Sequence, residues 1–145
     1  MKTAFYVVIA FIALGFGAVS CTHDNDTKAT PIEIAEKAYA DGRYAKAQSI
    51  ADSIMLGSSF ANLDVAQLCR LSMLFTHLGE NSTDEEVNTA MAARALEAAF
   101  ALDSDSTASF LRNVPLDDRA RVAIVTALST ARSDTLIEEP DSLIY

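Results

Sequence analysis

TPIEIAEKAYADGRYAKAQSIADSIMLG, residues Thr30 to Gly57, decides the fold. Thr30 is an N-cap threonine, Pro31 suits the first helical position, and Glu33 stands three residues past the cap. Threonine and glutamate so spaced can each accept a backbone N–H that a helix start leaves free. Ile34, Ala35, Ala38 and Tyr39 follow at helical spacing. Asp41-Gly42 breaks the helix, because glycine takes the positive φ that side chains disfavour. Tyr44, Ala47, Ala51, Ile54 and Met55 then mark a second helical face, ended by Gly57-Ser58-Ser59.

The pattern continues downstream. A third helix is predicted from about Leu63 to Leu78, apolar nearly all round through Val65, Leu68, Leu71, Met73, Leu74 and Phe75. Gln67, Arg70 and His77 form its narrow polar stripe, so it belongs at the centre of the core. Thr83-Asp84-Glu85-Glu86 reads as a second capping box. The helix after it carries Val87, Met91, Ala95, Ala98 and Leu102 on one face, and Ala92, Leu96 and Ala99 on another. Asp103-Ser104-Asp105-Ser106 caps a short fifth helix to about Asn113. Pro115 introduces a sixth, in which Ala120, Ala123, Ile124, Ala127, Leu128 and Ala131 fit the helical period. No alternating strand pattern appears. The expectation is an all-α fold of about six helices over 30–132, followed by a disordered acidic tail over 133–145.

The other end of the chain reads as an address. Met1-Lys2-Thr3, an apolar run from Ala4 to Val19, and small residues before Cys21 make a secretory signal over 1–20. About 16 apolar residues are slightly short for a spanning helix, which leaves an uncleaved anchor or plain secretion as the alternative. Residues 21–29 are then a polar tether that cannot build a core. The mature chain of about 125 residues suffices for one domain. Lys2 leaves with the signal and no acid does, so ten basic residues stand against twenty acidic ones, a net charge of −10. Such a surface repels phosphate backbones and argues against nucleic-acid binding. Alanine is abundant and tryptophan absent, which favours closely packed helices.

Two family resemblances follow from these residues. Ala18-Val19-Ser20-Cys21 after an apolar run resembles the lipobox of bacterial lipoproteins, with Ala18 where that family prefers leucine. The resemblance implies that Cys21 carries lipid and becomes the N-terminus of a protein anchored in the cell envelope. Several acyl chains hold far more firmly than one, since each buried methylene adds about 0.8 kcal/mol. Thr22 after the cysteine implies the outer membrane, periplasmic or surface-facing; Asp24 and Asp26 resemble an acidic export signal to the surface. The stretch Ala35…Gly42-Arg43-Tyr44-Ala45-Lys46-Ala47 resembles the tetratricopeptide repeat, with Ala92, Leu96, Ala99 and Ala101-Leu102-Asp103 similar to the end of another repeat. It implies an array of antiparallel helical hairpins. Ser59 and Ser104 stand where the repeat usually has proline, and an unrelated bundle with alanine-rich seams fits the same pattern.

Chemistry is sparse by comparison. His23 and His77 share no helical face and no cysteine cluster exists, so no zinc site is expected. Phosphate loops, nucleophile elbows and dinucleotide fingerprints are missing, which predicts no cofactor and no catalytic residues. With Cys21 lipidated, Cys69 has no disulfide partner and reads as a small buried hydrophobe. Asp-Ser/Thr triplets begin at Asp52, Asp105, Asp134 and Asp141, where composition gives about one. They resemble envelope O-glycosylation sites and make Ser106, Thr135 and Ser142 candidate acceptors; ordinary caps and turns are the alternative. Two function classes remain: a non-catalytic scaffold for an envelope protein or peptide, or an envelope enzyme or accessory subunit with an unidentified site. Convergence of Arg70, His77 and a carboxylate in one pocket would favour the enzyme.

Overall fold

The computed structural model describes residues 29–82 and 84–135. Cys21, Ser142 and the tether residues before Ala29 lie outside them. Six helices follow one another: α1 (Pro31–Ala40), α2 (Tyr44–Leu56), α3 (Val65–Glu80), α4 (Glu85–Leu102), α5 (Ser104–Arg112) and α6 (Arg119–Thr135). Single 3-10 turns at Phe60–Asn62 and Leu116–Asp118 complete the order, and no strand occurs among the described residues.

The first hairpin forms as its sequence dictates. Glu33 N–H donates to Thr30 Oγ1 at 3.3 Å, and Thr30 N–H donates to Glu33 Oε2 at 2.8 Å. That backbone bond from Thr30, with its hydroxyl second, holds the Glu33 carboxyl below its usual range. At the other end Gly42 has φ +73°, Gly42 N–H donates to Tyr39 O and Arg43 N–H to Ala38 O. These two bonds close a Schellman motif, which uses up carbonyls the helix end would leave free. α1 and α2 then pack with Ala35, Ala38, Ala47 and Ala51 at most 1% exposed.

α3 is the central helix. It buries Leu68, Cys69, Leu71, Leu74, Phe75 and Leu78, and it packs on α4 over the largest contact of the fold, with α1, α2, α5 and α6 around it. It starts at Val65 behind a capping box that pairs Asp64 with Gln67. The box expected at Thr83 falls partly outside the described residues; α4 begins at Glu85, and the N-cap Asp84 makes no side-chain cap bond. Gly57 closes α2, where a Cβ would stand 2.7 Å from Ser53 O, too close for any other residue without a shift.

Three faces depart from expectation. Ile34 is 44% exposed while Ile32 is buried, because 32, 35 and 38 form the stripe that meets α2 and α3. On α4, Ala92, Leu96 and Ala99 are buried as expected, but Val87 and Leu102 at the ends of the other face are exposed. On α6 the phase is opposite to the one predicted: Val122, Val125 and Ser129 are buried, and Ala120, Ala123, Ile124, Ala127, Leu128 and Ala131 face outward. Both faces of α6 repeat at helical spacing, and α4 takes the one with the two valines. The helix also runs to Thr135, so 133–135 continue it rather than opening the tail.

α6 does not pair with α5. It lies on α4: one cleft joins Glu85 and Thr89 to Arg121 and Val125, another joins Glu97 and Phe100 to Ser129 and Thr130. N-terminal half meets N-terminal half, so the two helices run parallel and α5 is the crossover between them.

Candidate functional site

The hairpin turn delivers Tyr44 to the start of α2, beside Tyr39 at the end of α1, with ring centroids 5.2 Å apart. His77 of α3 stacks on Tyr39 at 5.7 Å, and Asn81 Nδ2 donates to Tyr39 Oη at 3.0 Å. Burial, then the nearby Glu80 and the neighbouring Tyr44, push the Tyr39 phenol above its ordinary value. This aromatic corner fixes one end of an open groove.

The groove runs along α2. A cleft of about 310 Å³ is lined by Tyr44, Ala45, Gln48, Leu78, Asn81 and Ser82. A wider one of about 770 Å³ continues from Ala45 and Gln48 past Ser49 and Asp52 to Leu56. Gln48 is the shared floor. Its Nε2 donates to Asp52 Oδ1 and to Asn88 Oδ1, both at 2.9 Å, which bolts α2 to a fully buried asparagine of α4. Gln48 Oε1 is buried and accepts no hydrogen bond from another described residue. Small residues at Ala45, Ser49 and Ser53 keep the groove shallow, Tyr44 and Leu56 stand 40% and 74% exposed at its ends, and Asp52 is the charged group of its lining.

The titratable residues singled out in the sequence lie elsewhere. Arg70 grips Glu36 with two guanidinium nitrogens, Nε at 2.9 Å, and reaches Glu33 at 3.8 Å. The Glu36 hydrogen bond leads in raising the Arg70 pKa further. His77, two turns past Arg70 on α3, meets Asp118 Oδ1 of the Leu116–Asp118 turn through Nε2 at 3.1 Å. Each therefore has a carboxylate of its own, and neither lines the two clefts of the groove. Cys69 is 1% exposed, and burial pushes its thiol up to about 11, against a smaller downward pull from its hydrogen bond with Thr107. A thiol so placed stays protonated at neutral pH and is a poor nucleophile. Among the described residues no group of three or more His, Cys, Asp or Glu is placed to hold a metal, and no helix is long and apolar enough to cross a membrane.

Of the candidate acceptors, Ser106 is in the first turn of α5, where its Oγ donates to Asp103 Oδ2 at 2.7 Å and its N–H to Asp103 Oδ1. Those two bonds, the backbone one first, hold the Asp103 carboxyl below its ordinary value. Thr135 closes α6. The Gln48–Asn88 bridge was not foreseen from the sequence; an asparagine one turn before Ala92, on the apolar face of α4, is the signal that could have pointed to it.

Comparison with known proteins returns no match: no family model, no curated protein and no solved structure is similar to this chain.

Proposed function

We propose that this protein is a lipid-anchored lipoprotein of the bacterial cell envelope, held in the outer membrane through Cys21, and that it serves as a non-catalytic interaction scaffold. Its tetratricopeptide-like helices present the α2 groove to an envelope protein or peptide. The observation that carries this reading is the composition of the groove. Two exposed apolar groups, Tyr44 and Leu56, bracket a row of hydrogen-bonding side chains about 18 Å long, by the 1.5 Å rise per helical residue. The Asp52 carboxylate and the Ser49 hydroxyl in its lining offer acceptors to a partner's N–H groups. Apolar anchors flanking a polar, shallow surface suit a polypeptide better than a small molecule, which needs enclosure. The acidic surface adds a preference for a neutral or basic partner.

Affinity capture from intact envelopes with the acylated protein tests this. Tyr44→Ser combined with Leu56→Asp is expected to lose the partners that the wild type retains, whereas Ser109→Asp on α5 keeps them. Equal capture by the groove variant and the wild type would contradict the assignment.

A further inference from the structure

The outer face of α6 has no counterpart at the other end of the stack. α1, the first helix, shows solvent Glu33, Lys37 and Ala40 around Ile34. α6 shows Ala120, Ala123, Ile124, Ala127, Leu128 and Ala131, all exposed, with Ile124 at 58% and Leu128 at 42%. Terminal helices of stacked arrays need a polar outer face for solubility, and on α6 the described part of that face, Ala120 to Ala131, is apolar. We propose that this face is a self-association surface that takes α6 of a second copy in antiparallel orientation.

The residue order argues for that occupant. When two such helices cross antiparallel about a two-fold axis between Val125 and Thr126, Ala120 comes opposite Ala131, Ala123 opposite Leu128, and Ile124 opposite Ala127. Each large side chain meets an alanine of the other copy, and alanine pairs close both ends. One patch complementary to itself is what a two-fold interface requires. A parallel pairing would set Ile124 on Ile124 and Leu128 on Leu128, with gaps at every alanine. Antiparallel packing also places each helix terminus beside the oppositely charged end of the partner's dipole.

The size of the patch sets the strength. Two large side chains, Ile124 and Leu128, and four alanines make a patch of the few-hundred-Å² size that monomers commonly expose, so a pair falls below the roughly 1,200–2,000 Å² of stable complexes. The dimer is therefore weak and concentration-dependent in solution, and confinement of both copies to one surface would populate it. This inference does not depend on the scaffold reading or on lipid attachment.

Sedimentation equilibrium of the full chain in neutral detergent, over a wide concentration range, tests it. The wild type is expected to show a monomer–dimer equilibrium that Ile124→Glu and Leu128→Glu each weaken at least tenfold; circular dichroism checks that these variants, altered at exposed positions, stay folded. Co-expressed single variants Ile124→Cys and Ala127→Cys are expected to form a mixed disulfide in preference to an Ile124→Cys homodimer. A wild type that stays monomeric throughout, a dimer indifferent to both glutamates, or a preference for the Ile124→Cys homodimer would overturn the proposal. So would variants that lose binding to vesicles or to another protein while self-association is unchanged.

Discussion

Gly42 shows how a single residue sets the hairpin. Its φ of +73° closes the Schellman bonds, and a Cβ built there would meet no atom within 4 Å. Any cost of a side chain is therefore conformational, not steric crowding from neighbours. Gly42→Val is expected to cost on the order of 1–2 kcal/mol, and Gly42→Asn less, since asparagine tolerates the left-handed region. Ala47 is the opposite case: it is fully buried against α1, so Ala47→Leu costs about 1–3 kcal/mol by overpacking. Arg43 makes an exposed ion pair with Asp41 at 2.7 Å, so Arg43→Ala stays within about 0.5 kcal/mol. Urea midpoints give the ranking; an Ala47→Leu variant as stable as Arg43→Ala would remove the tight seam.

Among the elements, capping separates two helix starts that look alike in sequence. Asp64 accepts the Gln67 N–H at 2.8 Å and receives the Gln67 side chain in return at its own N–H, whereas Asp84 makes no side-chain cap bond. Asp64→Ala is expected to cost about 1 kcal/mol and Asp84→Ala less than half of that. Thermal unfolding followed by circular dichroism distinguishes them, and equal losses would contradict the cap assignment. The same contrast shows what was legible beforehand. α1 and α2 could be read because their signals are local: a cap, a glycine and alanines at helical spacing. The outward face of α6 could not, because its alanine stripe and its valine stripe both repeat at helical spacing on opposite sides, and only contact with α4 selects one. The Gln48–Asn88 and His77–Asp118 bonds join residues 40 and 41 apart, beyond the reach of any local pattern. The groove was legible only as an expectation that stacked helices leave a surface; its floor was not.

For the molecule as a whole, five helices pack around α3, with the aromatic corner and the groove along α2 and the bare apolar stripe on the outward face of α6. The proposed lipid on Cys21 would hold both near a membrane, within reach of the nine residues 21–29, which span at most about 32 Å if extended. The central claim is thus an envelope scaffold, and intact-mass and N-terminal peptide analysis of the protein purified from membranes tests it most directly. The account predicts a mature chain beginning at Cys21, heavier than its sequence by a diacylglycerol and an acyl group, and the loss of that mass in Cys21→Ala. A chain that retains Met1–Ser20, or one that begins at an unmodified Cys21, would contradict it.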